Sequence, residues 1–186
     1  MKGIIVAGQL ARRYGLPLRS GNVNSSNVID AQAIYESQMS IWGAVLGGVS
    51  LLNFAHGWME SGLTFSYEKM IIDSEMLQMV SEAMKPLSFK SENLGVQAVE
   101  EVGPGGHFFA ASQTLERYKD AFYQPMLSDW SNLEKWVEEG SKDTVQRALT
   151  FWKQLLQEYE QPLLDPGVEE ELMSYVEMRK VNIAAA

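Results

Sequence analysis

The order strand, helix, strand in the first third of this 186-residue chain constrains its fold more than any other feature. Residues 16–20 form a short extended segment, because Pro17 keeps the residue before it out of the helical region. Asp30 can cap a helix over residues 31–46, and the apolar run at residues 49–54 predicts a second, buried strand. Parallel strands joined by a crossover helix need cover on both faces of the sheet. The sequence therefore predicts an α/β fold.

Most of the remaining chain has helical spacing, and two strands alone close neither a barrel nor a doubly wound sheet. Residues 1–14 predict a helix that ends at Gly15 but has no capping residue before it, so we expect the chain to be part of a longer protein. Ser131 and Glu134 have the spacing of a capping box, and Asp165 precedes a first-turn proline. The other predicted helices cover residues 67–84, 92–101, 112–121, 132–138, 142–159 and 166–180.

The charge and the residue inventory exclude several functional classes. The 15 Lys+Arg are scattered among 24 Asp+Glu, giving a net charge of −9, so we expect no nucleic-acid partner. The chain has no Cys and two His, which excludes disulfides, thiolate zinc sites and a cysteine nucleophile, and we expect no tightly bound metal. The near-apolar stretch at residues 41–55 is too short to span a bilayer, and no secretory signal is visible. We therefore expect no membrane partner and a cytoplasmic location.

Two loops are the first candidates for a functional site. Residues 19–27 and 55–67 follow the predicted strands, and functional groups of parallel α/β folds gather at the carboxyl ends of strands. Arg19 in the first loop and His56 in the second are either site residues or ordinary turn residues. Five aromatic residues either line a pocket for a cation or form core, namely Trp42, Phe54, Trp58, Phe65 and Tyr67.

Two further positions have open interpretations. Residues 102–109 place His107 after three glycines. This segment either lets the backbone pass close to a ligand or simply connects two helices; it matches a phosphate-binding loop only weakly, because the Lys-Ser/Thr ending is missing. Tyr35 and Glu36 lie in the first turns of the helix after Asp30, and Glu36 either has a partner in a site or simply favours the helix N-terminus. No Gly-x-Ser-x-Gly motif or catalytic triad is recognisable, so a hydrolase is not expected.

Six ordered blocks of the sequence resemble the trimethylamine methyltransferase family, over roughly residues 9 to 181. The blocks are YGLPLRSG (14–21), DAQAIYES (30–37), HGWMESGL (56–63), SYEK (66–69), EVGPGGHF (101–108) and LLDP (163–166). The resemblance implies a TIM-barrel methyltransferase that moves a methyl group from a tertiary or quaternary methylamine to the cobalt of a separate corrinoid (cobalamin) protein. It also implies that this chain corresponds to the C-terminal part of such a protein and is inactive alone.

The resemblance implies a division of the chain, and the positions of individual residues give a set of candidate site residues. Residues 1–110 would supply the C-terminal βα units of the barrel, and residues 111–186 a helical extension packing on it. Pyrrolysine, which the trimethylamine-specific members contain, is absent from this sequence, which favours a betaine-type substrate. By position, the candidate catalytic residues are His107 and Glu36, and the candidate substrate-binding residues are Arg19, Tyr35, His56, Trp58 and Tyr67. Aromatic faces and carboxylates would hold the cation, and Arg19 would pair with a substrate carboxylate.

A second function class stays open beside the enzyme. An acidic helical domain can act as a noncatalytic module, or as an inactive remnant, that docks a partner such as a corrinoid carrier. The sequence does not decide between these functions, which methylated amine is used, or whether the subunits form a homo-oligomer.

Overall fold

The computed structural model describes residues 1–184, and these divide into two compact units, the first Met1–Lys153 and the second beginning at Gln154. The strands are β1 (Arg19–Gly21), β2 (Leu51–Asn53), β3 (Trp58–Met59) and β4 (Thr64–Phe65). The helices are α1 (Lys2–Tyr14), α2 (Ala31–Gly47), α3 (Tyr67–Ala83), α4 (Ser91–Leu94), α5 (Val96–Val102), α6 (Ser112–Arg117), α7 (Leu133–Glu138), α8 (Thr144–Glu158) and α9 (Pro166–Ala184). No helix within the described residues is long and apolar enough to cross a membrane.

The predicted strand, helix, strand unit is confirmed. Strands β1 and β2 pair in parallel, with Arg19 opposite Leu51 and Gly21 opposite Asn53, and α2 is the crossover helix between them. Both strands are shorter than the sequence pattern predicts. The barrel stays a prediction, as does the division of the chain into residues 1–110 and 111–186.

Helices α1 and α2 pack closely because glycines form the contact. A Cβ atom added to Gly8 would lie 1.9 Å from the carbonyl oxygen of Gly47, a distance that no side chain tolerates. The guanidinium of Arg12 donates to the same oxygen at 2.5 Å. At the end of α1, Gly15 adopts the left-handed conformation with φ 68°, as the stop signal predicts.

Polar caps set the starts of α2 and α3. Asp30 Oδ1 accepts from the backbone N–H groups of Gln32 at 2.9 Å and Ala33 at 3.3 Å, which confirms the predicted cap. Ser66 Oγ accepts from the backbone of Lys69 at 3.3 Å at the start of α3. Side chains of α2 and α3 form a buried core together with two residues from later in the first unit. The core residues are Ile41, Ile71, Ile72, Met76, Val80, Leu127 and Ala148.

Several predicted helix bounds are corrected by the structure. The helix predicted over residues 92–101 is two short helices, because Gly95 between them has φ 70° and interrupts the helical backbone. The cap of α7 is Asn132, whose side chain accepts from Lys135 N, and not Ser131. The hydroxyl of Ser131 instead donates to Asp129 at 2.6 Å in the preceding turn.

The second unit contains α9, whose start is predicted correctly. Asp165 Oδ1 accepts from the backbone N–H groups of Gly167 at 2.9 Å and Val168 at 3.3 Å. The helix begins at Pro166 and extends beyond the predicted end at residue 180. Proline is favoured at a first helical position because its missing N–H has no partner there in any case.

Candidate active site

Two loops meet at the carboxyl ends of β1 and β2, as predicted. The first loop comprises residues 22–27 and the second loop residues 54–62. Asn22 joins them, since its backbone N–H donates to Phe54 O at 3.3 Å and its Nδ2 donates to Ala55 O at 2.9 Å. Its Oδ1 is buried without a hydrogen-bond partner in the described part of the chain, which leaves one acceptor open to a donor.

The second loop contains strained backbone that the first loop holds in place. Phe54, Glu60 and Ser61 have φ of 49°, 49° and 57°, values that non-glycine residues rarely adopt. Ser61 N donates to Asn24 O at 2.6 Å, and Glu60 N donates to Ser26 O at 3.1 Å. Strain of this kind persists where the surrounding contacts over-determine the backbone, and it clusters at functional sites.

A buried ion pair lies beneath both loops. Lys69 Nζ is 2.5 Å and 2.6 Å from the two carboxylate oxygens of Asp73, and both side chains are completely buried. The same ammonium group donates to Ser37 Oγ at 2.7 Å and to Asn24 Oδ1 at 3.4 Å. Burial lowers the pKa of Lys69, while the negative charges of Asp73 and Glu36 act in the opposite direction.

The carboxylate of Asp73 extends this network to the second loop. Its Oδ2 accepts from the backbone N–H of Gly57 at 3.0 Å. Ser37 Oγ lies 3.0 Å from Asp73 Oδ1 and 3.1 Å from Asn24 Oδ1, and donates its single proton to one of them. The ion pair is therefore bonded to both loops and to α2.

Glu36 is an anchor for the first loop. Its Oε2 accepts from the backbone N–H groups of Ser25 at 2.7 Å and Ser26 at 3.2 Å, and its Oε1 accepts from Gln32 Nε2 at 2.8 Å. The hydrogen bond from Gln32, together with those from the loop backbone, lowers the pKa of Glu36 although burial acts against this. Glu36 is thus an ionised acceptor at neutral pH.

Five rings, two of them in the second loop, form an aromatic row, and we use that name for Phe54, Trp58, Phe65, Tyr67 and Trp152. Successive ring centroids are 5.3, 5.7, 5.8 and 5.1 Å apart. The first three contacts are edge-to-face, the geometry that aromatic quadrupoles favour. Phe54, Phe65 and Tyr67 are exposed, so parts of the row are open to solvent.

The two ends of the aromatic row are fixed by polar groups. At one end, the guanidinium carbon of Arg19 lies 5.8 Å from the Phe54 ring centroid, and its nitrogens lie 3.0 and 3.1 Å from the side-chain amide of Asn53, oriented so that the amide oxygen accepts. At the other end, Trp152 Nε1 donates to Glu68 Oε1 at 3.0 Å. The ring of Phe54 thus already carries a cation near one face.

The pKa of Glu68 is lowered by its hydrogen bonds. Burial acts to raise this pKa, but hydrogen bonds from Ser66 and Trp152 and the charge of Lys153 outweigh it. Glu68 therefore accepts from Trp152 as a carboxylate and orients the indole beside Tyr67.

The structure brings some of the predicted site residues together. Trp58 and Tyr67 belong to the aromatic row, and Arg19 lies at its end. Glu36 contacts the first loop through the backbone of Ser25. Of the five aromatic residues with two open interpretations, Trp42 instead packs against the core.

Within the part of the chain that the structure describes, other predicted site residues make no contact in this arrangement that assigns them a role. Tyr35 is exposed on α2, and His56 is exposed within the second loop. His107 is exposed in the turn after α5, with its ring centroid 5.4 Å from that of Phe109. Among residues 1–184, no hydrogen bond joins the imidazole of His107 to either loop, so its role stays a prediction.

Sequence reasoning missed Lys69, Asp73 and Ser37. The available signal was a pair of opposite charges four residues apart on α3, at positions that otherwise continue its buried face with Ile72 and Met76. Such a pair is usually solvent-exposed, so spacing alone does not distinguish it from a surface ion pair. Across the described residues, no group of three or more His, Cys, Asp or Glu is arranged to hold a metal ion.

Comparison with known proteins decides the family. The family model for trimethylamine methyltransferase (MTTB) matches residues 1–184. The chain belongs to the trimethylamine methyltransferase family. This family member is 40% identical to a glycine betaine methyltransferase of Desulfitobacterium hafniense over 177 residues, which are 95% of this chain and 37% of the relative.

Two trimethylamine methyltransferases are also similar to this family member. One from Methanosarcina mazei is 31% identical over 178 residues, covering 94% of this chain and 36% of the relative. One from Desulfitobacterium hafniense is 33% identical over the same length, with the same coverage of 94% and 36%. The chain thus spans little more than a third of the length of these relatives.

Proposed function

We propose that this chain is part of a methyltransferase that moves a methyl group from a methylated amine of the betaine type to the cobalt of a corrinoid protein. The observation that carries the proposal is the family match over residues 1–184. The relative at 40% identity is a glycine betaine methyltransferase, which supports a betaine-type substrate. In this proposal β1, α2 and β2 are βα units of a TIM barrel that the rest of the protein completes.

The aromatic row supports a cationic substrate. A quaternary ammonium ion binds to aromatic faces through the ring quadrupole and has no N–H to donate. Trp58 makes edge-to-face contacts with both Phe54 and Phe65, at centroid distances of 5.3 and 5.7 Å. Exposed rings at the carboxyl end of parallel strands are in the position where TIM barrels bind their substrates.

Arg19 supports a substrate that also carries a carboxylate. Its guanidinium lies over Phe54, the neighbour of Trp58, so a fixed positive charge is close to the rings proposed to hold the ammonium group. A zwitterion such as glycine betaine would place its carboxylate on Arg19 and its trimethylammonium group on the aromatic row.

The proposed reaction requires the chain to position the substrate and requires no proton transfer. The electron pair of reduced cobalt attacks the methyl carbon, the N–CH3 bond breaks, and its electron pair remains on the departing neutral amine. Atoms and charge balance without a proton donor. The chain's own groups would hold the cation in line with the cobalt, which is the acceptor substrate carried by the partner protein.

Transfer of methyl from glycine betaine to reduced free cobalamin tests the proposal, with the absorbance change of cobalt as the measurement. The chain would be compared with a protein completed by the remaining part of the barrel. We expect transfer only in the completed protein. Absence of transfer from every methylated amine tested, with the protein folded and the corrinoid carrier present, would overturn the proposal.

A further inference from the structure

We propose that the buried Lys69–Asp73 ion pair is the positioning element of the candidate site, which sets the arrangement of the two loops and of Trp58 and thereby the affinity for a cationic substrate. The substrate part of this inference rests on the proposed function, whereas the positioning of the loops does not. Neither residue is in reach of a substrate, because both side chains are completely buried.

The first argument is connectivity. The ammonium group of Lys69 bonds to Asn24 of the first loop and to Ser37 of α2, and the carboxylate of Asp73 bonds to Gly57 of the second loop. These partners are separated from the ion pair by between 16 and 45 residues of sequence. One pair of charges therefore bonds to the first loop, the second loop and α2, which come together only in the folded chain.

The second argument is location. Gly57 directly precedes Trp58, so the hydrogen bond from Gly57 N to Asp73 fixes the backbone next to the ring proposed to bind the cation. A Cβ atom added to Gly57 would lie 2.4 Å from Cε2 of Phe65, so the backbone has little freedom to move toward the aromatic row. Gly57 also has φ 83°, which favours glycine.

The third argument is energetic. Burying two charges carries a large desolvation cost, which a hydrophobic pair of similar size would avoid. The second loop contains three non-glycine residues in the left-handed region. A network that holds such a backbone in one arrangement explains why charges occupy a buried position of α3.

The chain provides a matched control on the same helix. Glu75 is a carboxylate that is 4% exposed and accepts from the backbone of Leu127 at 2.6 Å and from the hydroxyl of Ser128 at 2.5 Å. It thus anchors a different segment of the first unit. Substitution of Glu75 breaks a buried carboxylate network comparable to that of Asp73 without touching either loop.

The test uses Asp73→Asn, Lys69→Met and the milder Ser37→Ala, with Glu75→Gln as control. All proteins are prepared completed by the remaining part of the barrel. Amide hydrogen exchange of Gly57 and Ser61 reports the loops, and binding of tetramethylammonium chloride and glycine betaine reports the site. In the first three variants we expect exchange at Gly57 to accelerate by about tenfold or more relative to helical amides of α3. We expect the dissociation constant for either cation to rise by about tenfold.

The outcomes separate the inference from the proposed function. Unchanged loop exchange in all three variants, or equal loop changes in Glu75→Gln, would overturn the positioning role. Ser37→Ala keeps the test informative if a charge variant does not fold, because it removes only a hydroxyl. If wild-type protein binds neither cation while loop exchange follows the expected pattern, the positioning role stands and the proposed function fails.

Discussion

Single side chains with several hydrogen bonds define the candidate site at the residue scale. Glu36 accepts from two successive backbone N–H groups of the first loop, and Asp73 accepts from the second. Within residues 1–184, Arg19 holds neither loop through the loop backbone; its guanidinium lies over the ring of Phe54 instead. The anchors hold the two loops, while Arg19 and the aromatic row are the groups that we propose contact a substrate.

Glu36→Gln is expected to lower stability in a pH-dependent way. The pKa of Glu36 in the folded chain lies below its ordinary value of 4.5, so its stabilisation is fully present above that pH and is lost as the pH falls through the folded-state pKa. At pH 7 we expect a loss of about 1 kcal/mol in the free energy of unfolding. Urea unfolding of both proteins between pH 7 and pH 3 measures this; a difference that persists at the acid end would contradict the role of the carboxylate.

Arg19→Met is expected to discriminate between two cationic ligands. Loss of a charge-assisted contact to the carboxylate should lower the affinity for glycine betaine by about tenfold, or roughly 1.4 kcal/mol. Tetramethylammonium has no carboxylate, so its affinity should not change. Trp58→Leu should weaken both ligands, because both would use the ring face. Titration calorimetry on the completed wild-type protein and on both variants measures the six affinities. Equal weakening of both ligands by Arg19→Met would remove the carboxylate contact from the proposal.

Close approach of helices without side chains between them is the main feature at the element scale. Gly8 of α1 faces Gly47 of α2, and a Cβ atom on Gly43 would already lie 3.2 Å from the backbone of Met1. Helix α2 is also the crossover between the paired strands, and it contains both Glu36 and Ser37. Its placement against α1 therefore bears on where the loop anchors lie.

Gly8→Ala is expected to destabilise the chain, whereas Gly3→Ala on the same helix is not. The added methyl group at Gly8 would meet the Gly47 backbone, which cannot move aside as a side chain would, at a cost of about 1–3 kcal/mol or more. Around Gly3 there is nothing within 4 Å, so alanine should add up to about 1 kcal/mol of helix propensity. Thermal unfolding monitored by circular dichroism compares the two. Equal melting temperatures would show that α1 and α2 do not approach as described.

Unpaired strand edges are the feature that matters at the scale of the whole molecule. Among the described residues, β1 and β2 pair only with each other, so each has an open edge. Open edges of parallel strands can pair with other chains unless further strands or charged side chains protect them. This agrees with a chain that covers 37% of its glycine betaine methyltransferase relative.

The 186-residue chain is expected to self-associate when studied alone. Leu51→Lys should reduce this association, because Leu51 is 57% exposed on β2 and lysine discourages edge pairing. Leu87→Lys is the matched control, since Leu87 is 81% exposed but lies outside the strands. Sedimentation velocity over a range of concentrations measures the effect. Equal association of the two variants would show that exposed apolar area, rather than the strand edge, is responsible.

The sequence by itself determined the features that depend on neighbours within about one helical turn. Asp30 and Asp165 cap the predicted helices, Gly15 ends the first one, and the apolar run after α2 is a strand. These signals are local, since a cap satisfies backbone groups two or three residues away. Gly15, Asp30 and Asp165 also lie in the blocks that carried the family resemblance.

Only the tertiary structure decided which polar groups meet. The contacts of Lys69 with Asn24 and of Trp152 with Glu68 join residues 45 and 84 positions apart, and no local periodicity records such a pairing. A local pattern can also fail, since Ser131 has capping-box spacing with Glu134 while Asn132 caps the helix and the hydroxyl of Ser131 bonds to Asp129. Burial converts an ordinary i,i+4 charge pair into the centre of a network, because the energy of a charge depends on the surroundings that folding creates around it.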